Sequence, residues 1–254
     1  TEYLSTISSI FCSLSIRSNN CPHNPRISWT ITKAQAIGPP QKDMGAPFVL
    51  PRAASLEDPL RIAVLISGGG SGLDALLRFQ SEVPRCHRTV LVLADREDAA
   101  GIHHGLSRGI HSKGISIPDG FPKSESRIEH ERLIQDELES SGTELVVLSG
   151  YMRILTPWFV GKWKGRLVNI HPSLLPDFPG PHPHREVLSD GVSITGCTVH
   201  LVDEGVDSGP ILAQSTVPVF PDDDESSLQE RVKKAEHVLY PEILELLCSG
   251  GVSL

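Results

Sequence analysis

The chain has 254 residues, of which 39% are hydrophobic, and it contains 22 glycines and 20 prolines. This size and apolar content are typical of one globular domain with a real core, and they exclude a fibrous or collagen-like protein. Lysine and arginine number 23 against 31 acids, and the resulting net charge of −8 disfavours general attraction to nucleic-acid phosphates. No run approaches the roughly 18 apolar residues that cross a bilayer. We therefore expect neither nucleic acid nor a membrane as a partner.

The cysteines indicate the redox environment. Cys12, Cys21, Cys86, Cys197 and Cys248 are an odd number, and they show neither CxxC nor Cys/His ligand spacing. Such a pattern predicts neither a disulfide framework nor a zinc site. We expect a protein of the reducing cytoplasm that holds no metal.

Residues 1–60 show no sustained helical or strand period, are rich in Ser, Asn and Pro, and carry almost no acid before Asp43. The Ser-rich, acid-poor stretch 5–34 would suit an organellar transit peptide. Alternatively, the natural start is Met44, because Thr1 is not an initiator. We favour the second interpretation. In either case residues 1–60 are expected to be a disordered leader or a misassigned extension, and residues 61–254 the folded domain.

From Arg61 onward, apolar runs of strand length alternate with amphipathic segments, which is typical of an α/β domain around a mostly parallel sheet. The predicted strands are 61–66, 89–94, 115–117, 144–149 and 166–170, and the predicted helices are 73–80, 98–108 and 125–140.

The alternation changes after residue 190. Residues 194–202 and 210–218 predict two strands that add an antiparallel pair to the sheet. A long helix then closes the chain from a capping box at Ser227-x-x-Glu230. Helical spacing predicts that its buried stripe is Leu228, Val232, Ala235, Leu239 and Ile243.

A glycine-rich loop, 67–72 (SGGGSG), joins the first predicted strand to the first predicted helix. Backbone amides and the positive end of a helix make such a loop a natural cradle for phosphate. The loop lacks the Walker lysine, and Asp95 lies too far along the chain for a dinucleotide fingerprint. A tight turn without a ligand is the alternative interpretation.

Two polar side chains stand at the end of the strand 166–170. Asn169 and His171 point to the same face, because side-chain direction repeats every two residues in an extended chain. Pro172 ends the ladder, so the pair lies at the carboxyl end, where open α/β sheets bind ligands. An amide that steadies an oxyanion beside an imidazole that carries a proton is competent for acyl transfer. The alternative is a histidine that merely ends a strand.

A histidine with this role needs a carboxylate partner, because a nearby negative charge favours the imidazolium. Asp203, Glu204 and Asp207 all lie in the link between the last two predicted strands. Spacing does not choose among them, and each could instead serve the turn itself.

Six blocks stand out in this part of the chain: 66–73 (ISGGGSGL), 150–155 (GYMRIL), 169–180 (NIHPSLLPDFPG), 196–200 (GCTVH), 206–210 (VDSGP) and 231–237 (RVKKAEH). Together, and in this order, they resemble the glycinamide ribonucleotide transformylase family from about Arg61 to the C-terminus. The Asn-x-His pair with a later Asp is shared by the wider superfamily that uses formyltetrahydrofolate. The resemblance implies a Rossmann-like formyltransferase fold, with a mostly parallel central sheet flanked by helices and an added antiparallel strand pair.

The resemblance also implies roles for single residues. Asp207, rather than the other two acids, would pair with His171 and complete a catalytic group with Asn169. The backbone of Gly70, Ser71 and Gly72 would hold the substrate phosphate. Glu236 would bind the ribose hydroxyls, and its position beside the apolar stripe of the last helix agrees with this, although acids that flank such a stripe are common.

The folate slot would be formed by Met152, Arg153, Ile154, Leu155 and Asn169, with Arg127 as the candidate for the glutamate tail. The chain departs from the family at Gly69 and Gly72, where the family usually has asparagine. Amide contacts to phosphate survive this change, whereas side-chain contacts are lost.

The expected reaction moves the formyl group of 10-formyltetrahydrofolate, a co-substrate, to the amine of glycinamide ribonucleotide in purine (IMP) biosynthesis. Three alternatives stay open. A methionyl-tRNA formyltransferase is expected to continue into a basic RNA-binding domain, and a formyltetrahydrofolate hydrolase to carry a preceding regulatory domain. The third is a non-catalytic nucleotide-binding module. The sequence allows either a monomer or a homodimer.

Overall fold

The computed structural model describes residues 29–30 and 47–254. Both interpretations of the leader concern residues that lie mostly outside these ranges. The strands are β1 (Trp29–Thr30), β2 (Leu60–Ile66), β3 (His87–Ala94), β4 (His111–Gly114), β5 (Leu145–Leu148), β6 (Leu167–His171), β7 (Ile194–Leu201) and β8 (Ile211–Pro218). The helices are α1 (Ser71–Glu82), α2 (Ile102–Leu106), α3 (Lys123–Ser140), α4 (Pro157–Lys162), α5 (Pro183–Asp190) and α6 (Glu225–Cys248).

The strands form one mixed sheet in the order β1-β8-β7-β6-β5-β2-β3-β4. Strands β2 to β6 are parallel to their neighbours within that group. Strand β7 runs antiparallel to both β6 and β8. The predicted α/β fold with an added antiparallel pair is confirmed.

Strand β2 shows how the core is divided between the two faces of the sheet. Ile62, Val64 and Ile66 pack on one face with the apolar residues of α1 and α6. Ala63 and Leu65 pack on the other face with α3 and α4. Burial on both faces explains why the parallel strands read as continuous apolar runs rather than as alternating ones.

Two of the differences from the predicted boundaries have a clear physical cause. The fourth strand is His111–Gly114 rather than 115–117. An edge strand tolerates polar side chains, so its pattern carries little apolar signal, and the buried Ile115 marks only its end. The capping box of α6 is Asp224 with Ser227 rather than Ser227 with Glu230, because the Asp224 carboxylate accepts a hydrogen bond from the Ser227 amide at 2.7 Å.

Helix α6 is anchored to the centre of the sheet by one phenol. The hydroxyl of the buried Tyr240 donates to the carbonyl oxygens of Leu148 on β5 and Val168 on β6, at 2.9 and 3.0 Å. The predicted stripe of α6, from Leu228 to Ile243, is buried as expected. Within residues 47–254, no helix combines the length and apolarity needed to cross a bilayer.

Replacing Tyr240 with Phe is expected to lower the free energy of unfolding by about 1–2 kcal/mol, because a buried hydrogen-bond donor is lost while the ring is kept. Urea unfolding measures this change. Tyr151→Phe is a matched control, since the Tyr151 hydroxyl is buried without a hydrogen-bond partner among the described residues, and its removal should be neutral or slightly stabilising. An equal loss in both variants would contradict the anchoring role of Tyr240.

Candidate active site

The carboxyl ends of β2, β5 and β6 lie side by side at one edge of the sheet. Leu65 pairs with Leu148, and Leu148 pairs with Asn169. This register brings together the glycine loop after β2, Ser149 after β5 and the Asn169–His171 pair at the end of β6. The glycine loop and the Asn169–His171 pair, which the sequence analysis singled out, therefore lie at the same end of the sheet, with Ser149 between them.

The glycine loop is shorter than predicted, because α1 begins at Ser71 rather than at residue 73. Gly70 precedes the helix with a φ of 68°, a conformation that favours glycine. The amides of the first helical turn have no partner inside the helix and point out of its N-terminus. The His237 ring on α6 reaches the Ser71 hydroxyl at 3.3 Å. The loop therefore presents free amides beside α6.

Asn169 lies opposite His200 of β7 in the sheet register. The Asn169 Nδ2 lies 3.2 Å from His200 Nε2, and His200 Nδ1 lies 3.0 Å from the carbonyl oxygen of Leu201. Burial lowers the pKa of His200, which favours the neutral ring. A neutral ring that donates from Nδ1 accepts at Nε2, so it orients the Asn169 amide and leaves the second Nδ2 hydrogen free.

His171 is buried, and both of its ring nitrogens face oxygen acceptors. Nδ1 lies 3.4 Å from the Asp207 carboxylate. Nε2 lies 2.9 Å from the carbonyl oxygen of Phe178. The sequence analysis did not anticipate this second contact. It arises because the turn after β6 folds back across the ring, and the Ser173 hydroxyl donates to the same carbonyl at 3.1 Å.

Asp207 is the acid of the β7–β8 link that faces the histidines. Its φ is 51°, an unusual conformation for a residue other than glycine. Its carboxylate accepts a hydrogen bond from the Gly180 amide at 2.9 Å and lies 3.7 Å from His200 Nε2. Asp203 instead closes the turn by accepting from the amide of Gly205 and the hydroxyl of Ser208. The remaining candidate, Glu204, is exposed to solvent.

Glu236 lies on α6, one turn before Tyr240, and therefore on the face of the helix that meets β5 and β6. It is partly buried, and burial raises its pKa to about 7 against a weaker opposing effect of Lys233. Its neighbour His237 is the residue that reaches Ser71. Glu236 and the glycine loop are thus brought to the same end of the sheet.

The segment 151–155 alternates between the core and solvent. Tyr151 and Leu155 pack on the core, whereas Met152 and Ile154 are 77% and 67% exposed. Arg153 turns inward and pairs with the buried Asp95 through Nε and Oδ2 at 2.7 Å. The Met152 amide donates to the Ser67 hydroxyl at 2.8 Å. This segment is therefore fixed to the glycine loop and to Asp95, which directly follows β3, while it presents two large apolar side chains outward.

Arg127 lies exposed in the first half of α3, and its side chain makes no hydrogen bond or ion pair with another described residue. Among residues 29–30 and 47–254, no group of three or more His, Cys, Asp or Glu side chains is arranged to hold a metal ion.

His200 is the main site residue that the sequence analysis did not select. It stood inside the quoted block 196–200, but its position opposite Asn169 depends on the register of two strands that are 31 residues apart. The sequence signal that could have identified His200 was a histidine on the strand predicted to follow the Asn169–His171 strand.

The fold and the juxtaposed amide, imidazoles and carboxylate are those of an α/β group-transfer enzyme. The family model described as formyl transferase matches residues 60–244. The chain belongs to the formyl transferase family.

Named relatives show which members of this family the chain is similar to. The phosphoribosylglycinamide formyltransferase of Escherichia coli is 38% identical over 77% of this chain and 90% of that protein. The trifunctional purine biosynthetic protein adenosine-3 of Drosophila melanogaster is 44% identical over 75% of this chain, which spans only 14% of the fly protein. The solved glycinamide ribonucleotide transformylase 1 of Symbiobacterium toebii superposes with a TM-score of 0.73 at 38% identity, covering 77% of this chain and 91% of that chain.

The pKa of Glu236 predicts a pH dependence of stability. Because the folded pKa is about 7 and the ordinary value 4.5, the folded protein retains a proton that the unfolded chain loses between these values. Glu236 therefore stabilises the fold below about pH 4.5 relative to pH 7, and its contribution falls as the pH rises through about 7.

Between pH 4.5 and 7.5 the wild type is expected to lose about 1–2 kcal/mol more unfolding free energy than Glu236→Gln. This energy is smaller than the full pKa shift would give, because the side chain is partly exposed. Urea unfolding at several pH values measures the difference. Glu242, whose pKa burial also raises to about 7, contributes equally to both proteins and cancels. A difference that does not change with pH would contradict the burial of Glu236.

Proposed function

We propose that residues 61–254 form a catalytic domain that transfers the formyl group of 10-formyltetrahydrofolate to the amine of glycinamide ribonucleotide. The products are formylglycinamide ribonucleotide and tetrahydrofolate. The observation that carries the proposal is the convergence of Asn169, His171 and Asp207 at the carboxyl edge of the sheet. The names and coverage of the bacterial relatives support the choice of acceptor.

The reaction begins when the acceptor amine attacks the formyl carbon. A C–N bond forms, and the carbonyl electrons move onto oxygen. The free Nδ2 hydrogen of Asn169 donates to this oxyanion, and a protonated His171 adds a positive charge and a second donor. For this purpose the His171 Nε2–H group exchanges its hydrogen bond to the carbonyl oxygen of Phe178 for one to the formyl oxygen.

Collapse of the tetrahedral intermediate breaks the bond to N10 of the folate. The new ammonium loses a proton, and N10 gains one as it leaves. His171 assists this delivery as a general acid, while Asp207, 3.4 Å from its Nδ1, orients the ring. His200 acts through Asn169 as a positioning residue, since it fixes the amide without reaching the reacting atoms.

We assign the two small molecules to two different groups of residues. The amides of Gly70, Ser71 and Gly72 would hold the phosphate, and Glu236 would accept hydrogen bonds from the ribose hydroxyls. The segment Met152–Leu155 would hold the pterin through its backbone and exposed apolar side chains. We retain Arg127 for the glutamate tail, where its exposure suits contact with a flexible anion. We assign the reaction to the cytoplasm and to a site without metal.

A direct assay tests the proposal. The purified chain is mixed with 10-formyltetrahydrofolate and glycinamide ribonucleotide, and the release of tetrahydrofolate is followed by absorbance. We expect release that depends on the acceptor, and no product when formate and ATP replace the folate. Release at the same rate without the acceptor would instead support a hydrolase, and no release would overturn the proposal.

Replacing His171 with Ala is expected to lower kcat by about 100- to 10,000-fold while changing the affinity for glycinamide ribonucleotide little, because general acid catalysis is lost and phosphate and ribose contacts remain. Steady-state kinetics and calorimetry measure the two effects. His111→Ala is the matched control, since His111 is exposed on the edge strand β4. Near-normal turnover of His171→Ala would contradict the assignment.

Replacing Asp207 with Asn keeps the shape of the side chain but removes the negative charge that both histidines face. We expect kcat to fall by about 100-fold or more, as when an orienting aspartate is neutralised beside a catalytic histidine. Asp203→Asn is the matched control, because among the described residues the Asp203 side chain bonds only within its own turn. A kcat of Asp207→Asn close to that of the wild type would sink this role.

A further inference from the structure

Ser149 is the first residue after β5, midway between the glycine loop and the Asn169–His171 pair. The residue is 9% exposed. Its amide donates to the Leu65 carbonyl at 2.9 Å, which fixes the residue against β2. Its hydroxyl makes no hydrogen bond with any other residue that the structure describes. The residue is therefore nine-tenths buried, while its hydroxyl stays available to a ligand or to water.

The direction of this hydroxyl is given by its distance to Gly72. A Cβ built on Gly72 would lie 2.5 Å from Ser149 Oγ but 3.9 Å from Ser149 Cβ. The hydroxyl therefore lies against the first turn of α1, where the unpaired amides of Ser71 and Gly72 emerge. An oxygen ligand held by these amides would meet the Ser149 hydroxyl.

Gly72 is not required by its backbone. Unlike Gly70, it does not adopt a positive φ, and glycine inside a helical turn costs stability relative to alanine. The single residue that a side chain at position 72 would meet within 4 Å is Ser149. The glycine at this position is therefore explained by the space that the hydroxyl occupies.

We infer that Ser149 is a further substrate-binding residue, whose hydroxyl donates to the phosphate of the acceptor nucleotide, and that Gly72 is small in order to admit it. The inference rests on the proposed function and adds a side-chain donor to a loop that otherwise offers only amides. A phosphate oxygen is the expected partner because the N-terminus of α1 favours an anion. In this chain a serine just after β5 supplies a polar contact that does not come from position 72 itself.

The first test compares two acceptors. Ser149→Ala is expected to lower kcat/KM for glycinamide ribonucleotide by about 10- to 100-fold, the range of a hydrogen bond to a charged group, through KM rather than kcat. The same variant should leave kcat/KM for the dephosphorylated glycinamide riboside unchanged, along with KM for the folate. Ser81→Ala, which removes an exposed hydroxyl bonded to the Arg78 carbonyl, is the matched control.

Each outcome decides the matter. An unchanged KM for the ribonucleotide in Ser149→Ala, or an equal loss with both acceptors, overturns the phosphate contact. If the wild type itself transfers no formyl group, the proposed function fails rather than this inference, and the second test then stands alone.

The second test needs no substrate. Gly72→Ala should lower the Tm of the wild type, because the new methyl group displaces the Ser149 hydroxyl. In the Ser149→Ala background the same change should leave the Tm unchanged or raise it, since only the Cβ atoms then meet. Additive Tm shifts in the double variant would overturn the steric coupling of the two residues.

Discussion

The carboxylate of Asp207 connects three parts of the chain that are far apart in sequence. It accepts from the Gly180 amide at 2.9 Å, lies 3.4 Å from His171 Nδ1 and lies 3.7 Å from His200 Nε2. One anion inside a partly buried site can be shared in this way only if the surrounding backbone is fixed. The φ of 51° at Asp207 and the turn that carries Phe178 and Gly180 provide that fixed geometry. Asn169 depends on it indirectly, because His200 orients its amide.

The fold was largely predictable because its strands are buried on both faces and its last helix has a regular apolar stripe. The failures have physical causes. Strand β4 lies at the edge of the sheet, so hydrophobicity did not mark it, and the apolar residue that did stand out, Ile115, lies just beyond it. The start of α6 was misplaced because Ser227 is the third residue of the helix and not its N-cap. Its hydroxyl accepts a hydrogen bond from the Asp224 amide, while the Asp224 carboxylate accepts one from the Ser227 amide.

The site was only partly predictable. Alternation along one strand brought Asn169 and His171 to the same face, which is a local property of the sequence. The partners of that pair are not local. A turn conformation makes Asp207, rather than the other two acids, face the histidines. The register between β6 and β7 places His200 opposite Asn169. The missing Cβ of Gly72 leaves room for the Ser149 hydroxyl. Such relations depend on how distant segments pack, and spacing in the sequence does not contain them.

The identity of the new covalent bond tests the central claim most directly. The chain is incubated with 10-formyltetrahydrofolate labelled with ¹³C in the formyl group and glycinamide ribonucleotide labelled with ¹⁵N at the amine, and the products are observed by NMR. The account predicts a formamide ¹³C signal split by one-bond coupling to ¹⁵N. Labelled formate in place of the coupled signal, or a formyl group that stays on the folate, would contradict it.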